Sequence, residues 1–213
     1  MKQIQTFVCI SIIFFCFTHC YHSDKPSAQY LSILGANVMN RKITIVGDSL
    51  AQWSDGFGLS NRLPSEFKVT DVSVAGFTTE DWLQNQNRLN EIPTDLWILE
   101  LGTNDAMVYG TNGFEIRTLE LINFLQSNQI SSVLLTLIPR TNMTSIKETI
   151  RENNDTLRKI KAQKEKVDIV DIESIFESYQ GEIPLYPISD PIHPNQIGYD
   201  LMGETYRKKI LGI

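Results

Sequence analysis

The sequence predicts an α/β fold in which a parallel sheet carries helices on both faces. Three observations lead there. From about Arg41 onward, short β-rich runs alternate with longer amphipathic ones, the pattern of strands joined by helical crossovers. A chain of 213 residues, 42% of them apolar, can fill one buried core. Finally, the glycine-bearing polar clusters fall directly after the strands, where ligands bind in open α/β sheets.

The strands come first. Lys42 to Val46 is a first strand, ended by Gly47-Asp48-Ser49. Phe67 to Val74 alternates as a second, Leu96 to Leu101 is a third ending at Gly102, and Val167 to Ile172 is a fifth. The fourth, Ser132 to Ile138, is nearly continuous in apolar residues and is stopped by Pro139. Between them, Thr79 to Leu89 opens with a threonine cap and a Glu-Asp pair that suits the helix dipole. Gly113 to Ser127, Thr144 to Lys164 and Asn195 to Ile210 repeat apolar residues at helical spacing.

The N-terminus differs in kind. Met1 and Lys2 precede an uncharged apolar run from Phe7 to Phe17. That run is too short to span a bilayer but fits the core of a secretory signal. Residues 1–20 are therefore expected to be a signal peptide, 21–40 a tether and 41–213 the folded domain. The three cysteines, Cys9, Cys16 and Cys20, all lie in the signal segment, so the domain is expected to fold without disulfides. Cys20 closes the apolar run. It suits the lipid-modified cysteine of a bacterial lipoprotein, although His19 replaces the usual small residue before it. It also suits the last residue before an ordinary cut, and an uncleaved anchor is the third reading. The chain is thus expected outside the cytoplasm, anchored to a membrane through Cys20 or secreted.

Net charge is −6, which offers no basic face for nucleic acid or for anionic lipid. Histidine is scarce. His19 and His22 fall in the signal and tether, so His193 is the domain's only imidazole and the only histidine available as a base near neutrality. It lies in Asp190-Pro191-Ile192-His193-Pro194, where a spacing of three in a proline-stiffened turn can bring the Asp190 carboxylate to Nδ1. Ser49 follows the first strand on a turn that would expose its hydroxyl, and such a serine needs a neighbouring base to become a nucleophile. Taken alone, a serine in that place is more often a helix cap than a catalyst. Attack on an ester would create an oxyanion. The backbone amides of Ser49 and Gly76 and the carboxamide of Asn104 are the candidate donors. Gly76 also suits a plain turn, and Asn104 a cap beside Asp105.

Together these segments resemble the GDSL, or SGNH, hydrolase family. Gly47-Asp48-Ser49-Leu50 matches its first block, Gly76 the glycine of the second, Gly102-Thr103-Asn104-Asp105 the third, and Asp190-Pro-Ile-His193 the last. In the second block an asparagine often found shortly before the glycine is replaced by Ser73 or Val72. The resemblance covers about Arg41 to Ile213. It implies a three-layer α/β/α, flavodoxin-like fold with a five-stranded parallel sheet. It also implies metal-free ester hydrolysis through an acyl-enzyme, with Ser49, His193 and Asp190 catalytic and Ser49, Gly76 and Asn104 forming the oxyanion hole.

No H-x-H or H-E-x-x-H pattern, P-loop or dinucleotide fingerprint occurs, so no metal or other cofactor is expected. Gly56-Phe57-Gly58 lacks a third glycine and is read as a turn. The expected substrate is a small acyl ester or lysophospholipid, with a carbohydrate or cell-wall O-acetyl ester as the alternative. An inactive binding domain of the same fold is the other class, which the intact Ser49, Asn104, Asp190 and His193 oppose. Trp53, Phe57, Phe77, Trp82, Met107 and Tyr109 lie near the active loops and either line an acyl pocket or belong to the core.

Overall fold

Five strands form one parallel sheet in the computed structural model, which describes residues 41–127 and 131–213. They are β1 (Arg41–Gly47), β2 (Phe67–Asp71), β3 (Leu96–Glu100), β4 (Ser132–Leu137) and β5 (Val167–Asp171). Their order across the sheet is β2-β1-β3-β4-β5, and every neighbouring pair is parallel. The expected signal and tether segments lie outside the described residues.

Every residue of β3 and β4 is buried, which explains their nearly continuous apolar sequences: parallel strands covered on both faces have no wet side. Alternate residues serve alternate faces. Val46, Leu99, Val133 and Leu135 pack into one core with Trp82, Phe114, Leu121 and Leu157. Ile45, Ile98 and Leu134 pack into the other with Phe57, Phe176, Met202 and Tyr206. The first core faces α3 (Thr79–Gln84), α5 (Phe114–Ser127) and α6 (Lys147–Gln163). The second faces α2 (Leu59–Arg62), α7 (Ile172–Glu177) and α8 (Gln196–Leu211). The result is the expected three-layer α/β/α, flavodoxin-like arrangement with a five-stranded parallel sheet. Two further short helices, α1 (Ser49–Trp53) and α4 (Thr103–Val108), follow β1 and β3 directly.

The departures from the sequence expectation have local causes. The second strand ends at Asp71 rather than Val74, because the Asp71 carboxylate accepts the Ser73 amide at 3.0 Å and turns the chain. Even so, the Val72 and Val74 amides still donate to Ile45 and Gly47 of β1. The helix expected over Thr79 to Leu89 opens on a full capping box between Thr78 and Asp81. It then breaks at Asn85, whose carboxamide donates to the Asp81 carbonyl at 2.8 Å, the competition with the helix ladder that asparagine commonly makes. A 3₁₀ turn, Gln86–Leu89, completes the span, and another, Thr144–Ile146, precedes α6. Ile172, expected to end strand five, instead opens α7 behind an Asp171 cap.

Chain order carries β1 outward to β2 and then back across to β3. The loops leaving β1 and β3 therefore diverge at the switch point, where such sheets open a crevice. Ser49 and Asn104 stand there.

Candidate active site

Asp48, not Ser49, caps α1: its Oδ1 accepts the Leu50 amide at 2.9 Å. The Ser49 hydroxyl is thereby spared capping duty and lies 2.8 Å from His193 Nε2. Asp190 completes the relay, with Oδ2 at 2.8 Å from His193 Nδ1. The three-residue spacing has a structural reason. Asp190 Oδ1 accepts the amides of Ile192 and His193 at 3.0 and 2.9 Å, closing the turn, while Oδ2 is left for the ring. Burial pushes the Asp190 carboxyl up, but the two amides and then the imidazole outweigh it and hold it below the usual carboxylate range. With Nδ1–H donating to Asp190, Nε2 is left as an acceptor for the serine proton. The turn is anchored at both ends, since Asn142 donates to the Pro191 carbonyl and Asn195 to that of Leu185, each at 2.7 Å.

Asn104 is the second residue of α4. The helix begins directly after Gly102, whose φ of +126° is glycine territory and whose absent Cβ would lie 2.4 Å from Ile138. The Asn104 carboxamide uses both hydrogens, one to Asp48 Oδ2 at 3.1 Å and one to the Phe77 carbonyl at 3.0 Å. Donation to an oxyanion therefore requires exchange of one of these bonds, and the Phe77 carbonyl is the uncharged, weaker acceptor.

Gly76 sits in the turn closed by the Phe77 amide on the Val74 carbonyl, with φ at +83°. A Cβ there would meet nothing within 4 Å, so the turn conformation, not crowding, selects glycine. Its exposed amide is one residue from Ala75, whose N–H donates to Gln52 Oε1 at 2.9 Å and ties this loop to α1.

Sequence reasoning missed several supports of the site. Asp105, fully buried, accepts from the Thr79 amide at 3.0 Å, from the Thr79 hydroxyl at 2.5 Å and from Arg117 at 3.2 Å. Arg117 also donates to the Thr79 hydroxyl at 2.9 Å, so α3, α4 and α5 are locked together beside Asn104. Asp105 stood in the third motif block, which was the available signal; Arg117 and Gln52 carried none. Asp48 and Glu100 are buried side by side. Burial, partly offset by the Leu50 amide and the Glu100 side chain, pushes Asp48 up to about 7. Burial and then Asp48 itself push Glu100 well above its ordinary value.

The aromatic residues divide. Phe57 and Trp82 are core: Phe57 stacks on Tyr206 at 4.6 Å, and Trp82 donates to the Gly47 carbonyl at 3.1 Å. Phe77 is half-buried against Trp82. Trp53, Met107 and Tyr109 are 59%, 39% and 37% exposed and remain available to a ligand. Among the described residues no group of three or more His, Cys, Asp or Glu side chains is placed to hold a metal ion.

Fold and site define the class as an ester hydrolase. Residues 45–201 match the GDSL-like Lipase/Acylhydrolase family, and the chain belongs to it. Among similar proteins, a multidomain esterase of Ruminococcus flavefaciens is 25% identical over 138 residues, which cover 61% of this chain and 17% of that one. The chain thus spans under a fifth of that relative's length. The platelet-activating factor acetylhydrolase IB subunit alpha1 of Rattus norvegicus is 24% identical over 164 residues, covering 74% of this chain and 70% of its own. The crystal structure of an acetyl xylan esterase, AlAXEase, superposes with a TM-score of 0.65 at 20% identity, covering 78% of this chain and 97% of the other.

Proposed function

We propose that this ester hydrolase works through an acyl-enzyme formed on Ser49. The observation that carries the reading is the continuous relay from Ser49 Oγ to His193 Nε2 and from Nδ1 to Asp190, both contacts at 2.8 Å. Ser49 Oγ attacks the acyl carbon as His193 takes its proton, and Asp190 holds the ring and stabilises the imidazolium. The oxyanion takes hydrogen bonds from the Ser49 and Gly76 amides and from Asn104, which gives up the Phe77 carbonyl. The tetrahedral intermediate collapses, and His193 returns the proton to the departing alcohol. Water, deprotonated by the same imidazole, then releases the acid and regenerates Ser49.

The substrate in this reading is an ester of a short acyl group, or a lysophospholipid. The exposed apolar surfaces of Trp53, Met107 and Tyr109 suit a small acyl or lipid contact. Acetyl groups also figure in the names of the acetylhydrolase and acetyl xylan esterase relatives. The latter supports a second reading, a carbohydrate O-acetylesterase. A panel of p-nitrophenyl acetate, butyrate and palmitate, a lysophospholipid and acetylated xylan tests both readings. Turnover highest on acetyl or butyryl esters or the lysophospholipid fits the first, and preference for acetylated xylan fits the second. Turnover of none would leave a binding domain.

The signal-like residues 1–20 support export, with Cys20 as the anchoring point or the cleavage boundary. Detergent-phase partitioning that Cys20→Ser abolishes would fit anchoring. A wild type already in the aqueous phase and beginning at Tyr21 would rule it out.

A further inference from the structure

Two acidic side chains lie together in the core beside the relay, and the acyl-enzyme reaction uses neither as acid or base. Asp48 and Glu100 are each 1% exposed. Glu100 ends β3 in register with Gly47 of β1, which sets it beside Asp48. The Asp48 amide donates to the Glu100 carboxyl, and the two carboxyl groups are in hydrogen-bond contact. Asp48 is engaged on both oxygens, accepting Leu50 N–H at Oδ1 and Asn104 Nδ2 at Oδ2. Glu100 Oε2 is buried with no donor aimed at it.

Two carboxylates cannot bond one another, and burying a second unpaired charge costs more than taking up a proton. One proton between them satisfies both groups. Its place follows from the partners. A proton on Asp48 would spoil an oxygen that already faces an N–H donor, whereas Glu100 Oε2 has nothing else to do. Neighbouring groups favour retaining it. Asp105 faces Asp48, and Asp71 faces Glu100. The phenols of Tyr186, Tyr199 and Tyr206 feel the charge of Glu100, and Asp190 of the relay bears on Tyr199 as well. Of the cations on these elements, Arg117 is bound to Asp105 and Arg140 stands by Tyr186.

We infer that Glu100 is a positioning residue: it keeps the single proton of the Asp48–Glu100 pair, and so leaves Asp48 an anionic acceptor that aims the Asn104 carboxamide at the oxyanion. The proton is not passed to substrate. As the oxyanion forms, Asn104 exchanges the Phe77 carbonyl for it while Asp48 holds the other hydrogen. The inference rests on the proposed donor role of Asn104.

The test measures kcat and KM on p-nitrophenyl acetate, from about pH 5 to about pH 10, for the wild type, Glu100→Ala and Glu100→Gln. It adds the infrared carbonyl band of a protonated carboxyl in the wild type. Glu100→Ala is expected to lower kcat by about tenfold or more with KM within about twofold, a fraction of what deleting an oxyanion donor does. Glu100→Gln recovers most of that loss, because its N–H stands in for the proton. Wild-type kcat declines at alkaline pH as the shared proton leaves, and Glu100→Gln, which has none to lose, lacks that decline. A protonated-carboxyl band persists in the wild type at about pH 8. The inference is overturned if Glu100→Gln is as slow as Glu100→Ala at every pH, if the alkaline limb is the same in wild type and Glu100→Gln, or if the band is absent. Should both variants fail to fold, the wild-type band decides alone. If Asn104→Ala leaves kcat unchanged, the oxyanion reading fails whatever the band shows; a missing band with a slow Asn104→Ala sinks the shared proton only.

Discussion

The indole of Trp53 lies against the imidazole of His193, with ring centroids 4.2 Å apart and planes tilted by 38°. Trp53 is 59% exposed, so it contributes little to the core. Its contact with the histidine is where its effect should fall. When His193 takes the serine proton, the imidazolium gains a cation–π partner worth about 0.5–1 kcal/mol at such a wet site. Trp53→Ala should therefore lower kcat by roughly two- to fivefold and leave the melting temperature nearly unchanged, with Trp53→Phe recovering part of the loss. Unchanged kcat in the alanine variant would show the contact to be incidental.

Gly76 offers a cleaner separation of fold from function. An alanine there meets no atom within 4 Å, yet must adopt φ near +83°, which costs an L-residue about 1–2 kcal/mol. The protein should still fold, with melting lowered by several degrees. If the Gly76 amide serves the oxyanion, kcat should fall more than that strain explains while KM barely moves. Loss of stability with kcat intact would place the amide outside the reaction.

Stability should also report the buried acid pair. Burial pushes Asp48 up to about 7 and Glu100 well above its ordinary value, so the folded pair holds its one proton to a higher pH than the unfolded chain does. The resulting stability is fully present below about pH 4 and is lost as pH rises toward the raised values of the pair. Thermal melts should be higher at about pH 5 than at about pH 8. Glu100→Gln, which has no proton to lose, should flatten that slope. A slope that is unchanged in Glu100→Gln would mean that the pair does not carry the proton change.

The sequence made the architecture legible because its signals were periodic. β3 and β4 are buried on both faces and read as apolar runs, and α6 and α8 carry long helical spacing. Helices α1, α2, α4 and α7 span four to six residues each, less than two turns, so periodicity had nothing to act on. The Ser49, His193 and Asp190 relay was legible because one histidine served the domain and its acid lay three residues away in the same turn. The supports were not. Gln52 reaches Ala75 across 23 residues, Arg117 reaches Thr79 across 38, and Asn104 reaches Asp48 across 56. Contacts of that range exist only once the sheet has brought β1 and β3 together. Glu100 stood inside what reads as an apolar strand, where a single acid looks like an interruption rather than a partner.

Activation of Ser49 by His193 can be read by covalent labelling. The protein is treated with a fluorophosphonate probe, digested, and the adduct located by peptide mass, alongside Ser49→Ala and His193→Ala. One adduct should form on Ser49 and none in Ser49→Ala, with labelling in His193→Ala slowed by orders of magnitude. Loss of a triad member typically costs about 10⁴–10⁶ in kcat, and ester turnover should fall accordingly. An adduct on another residue, or a purified Ser49→Ala variant that still turns over ester at a substantial rate, would contradict it.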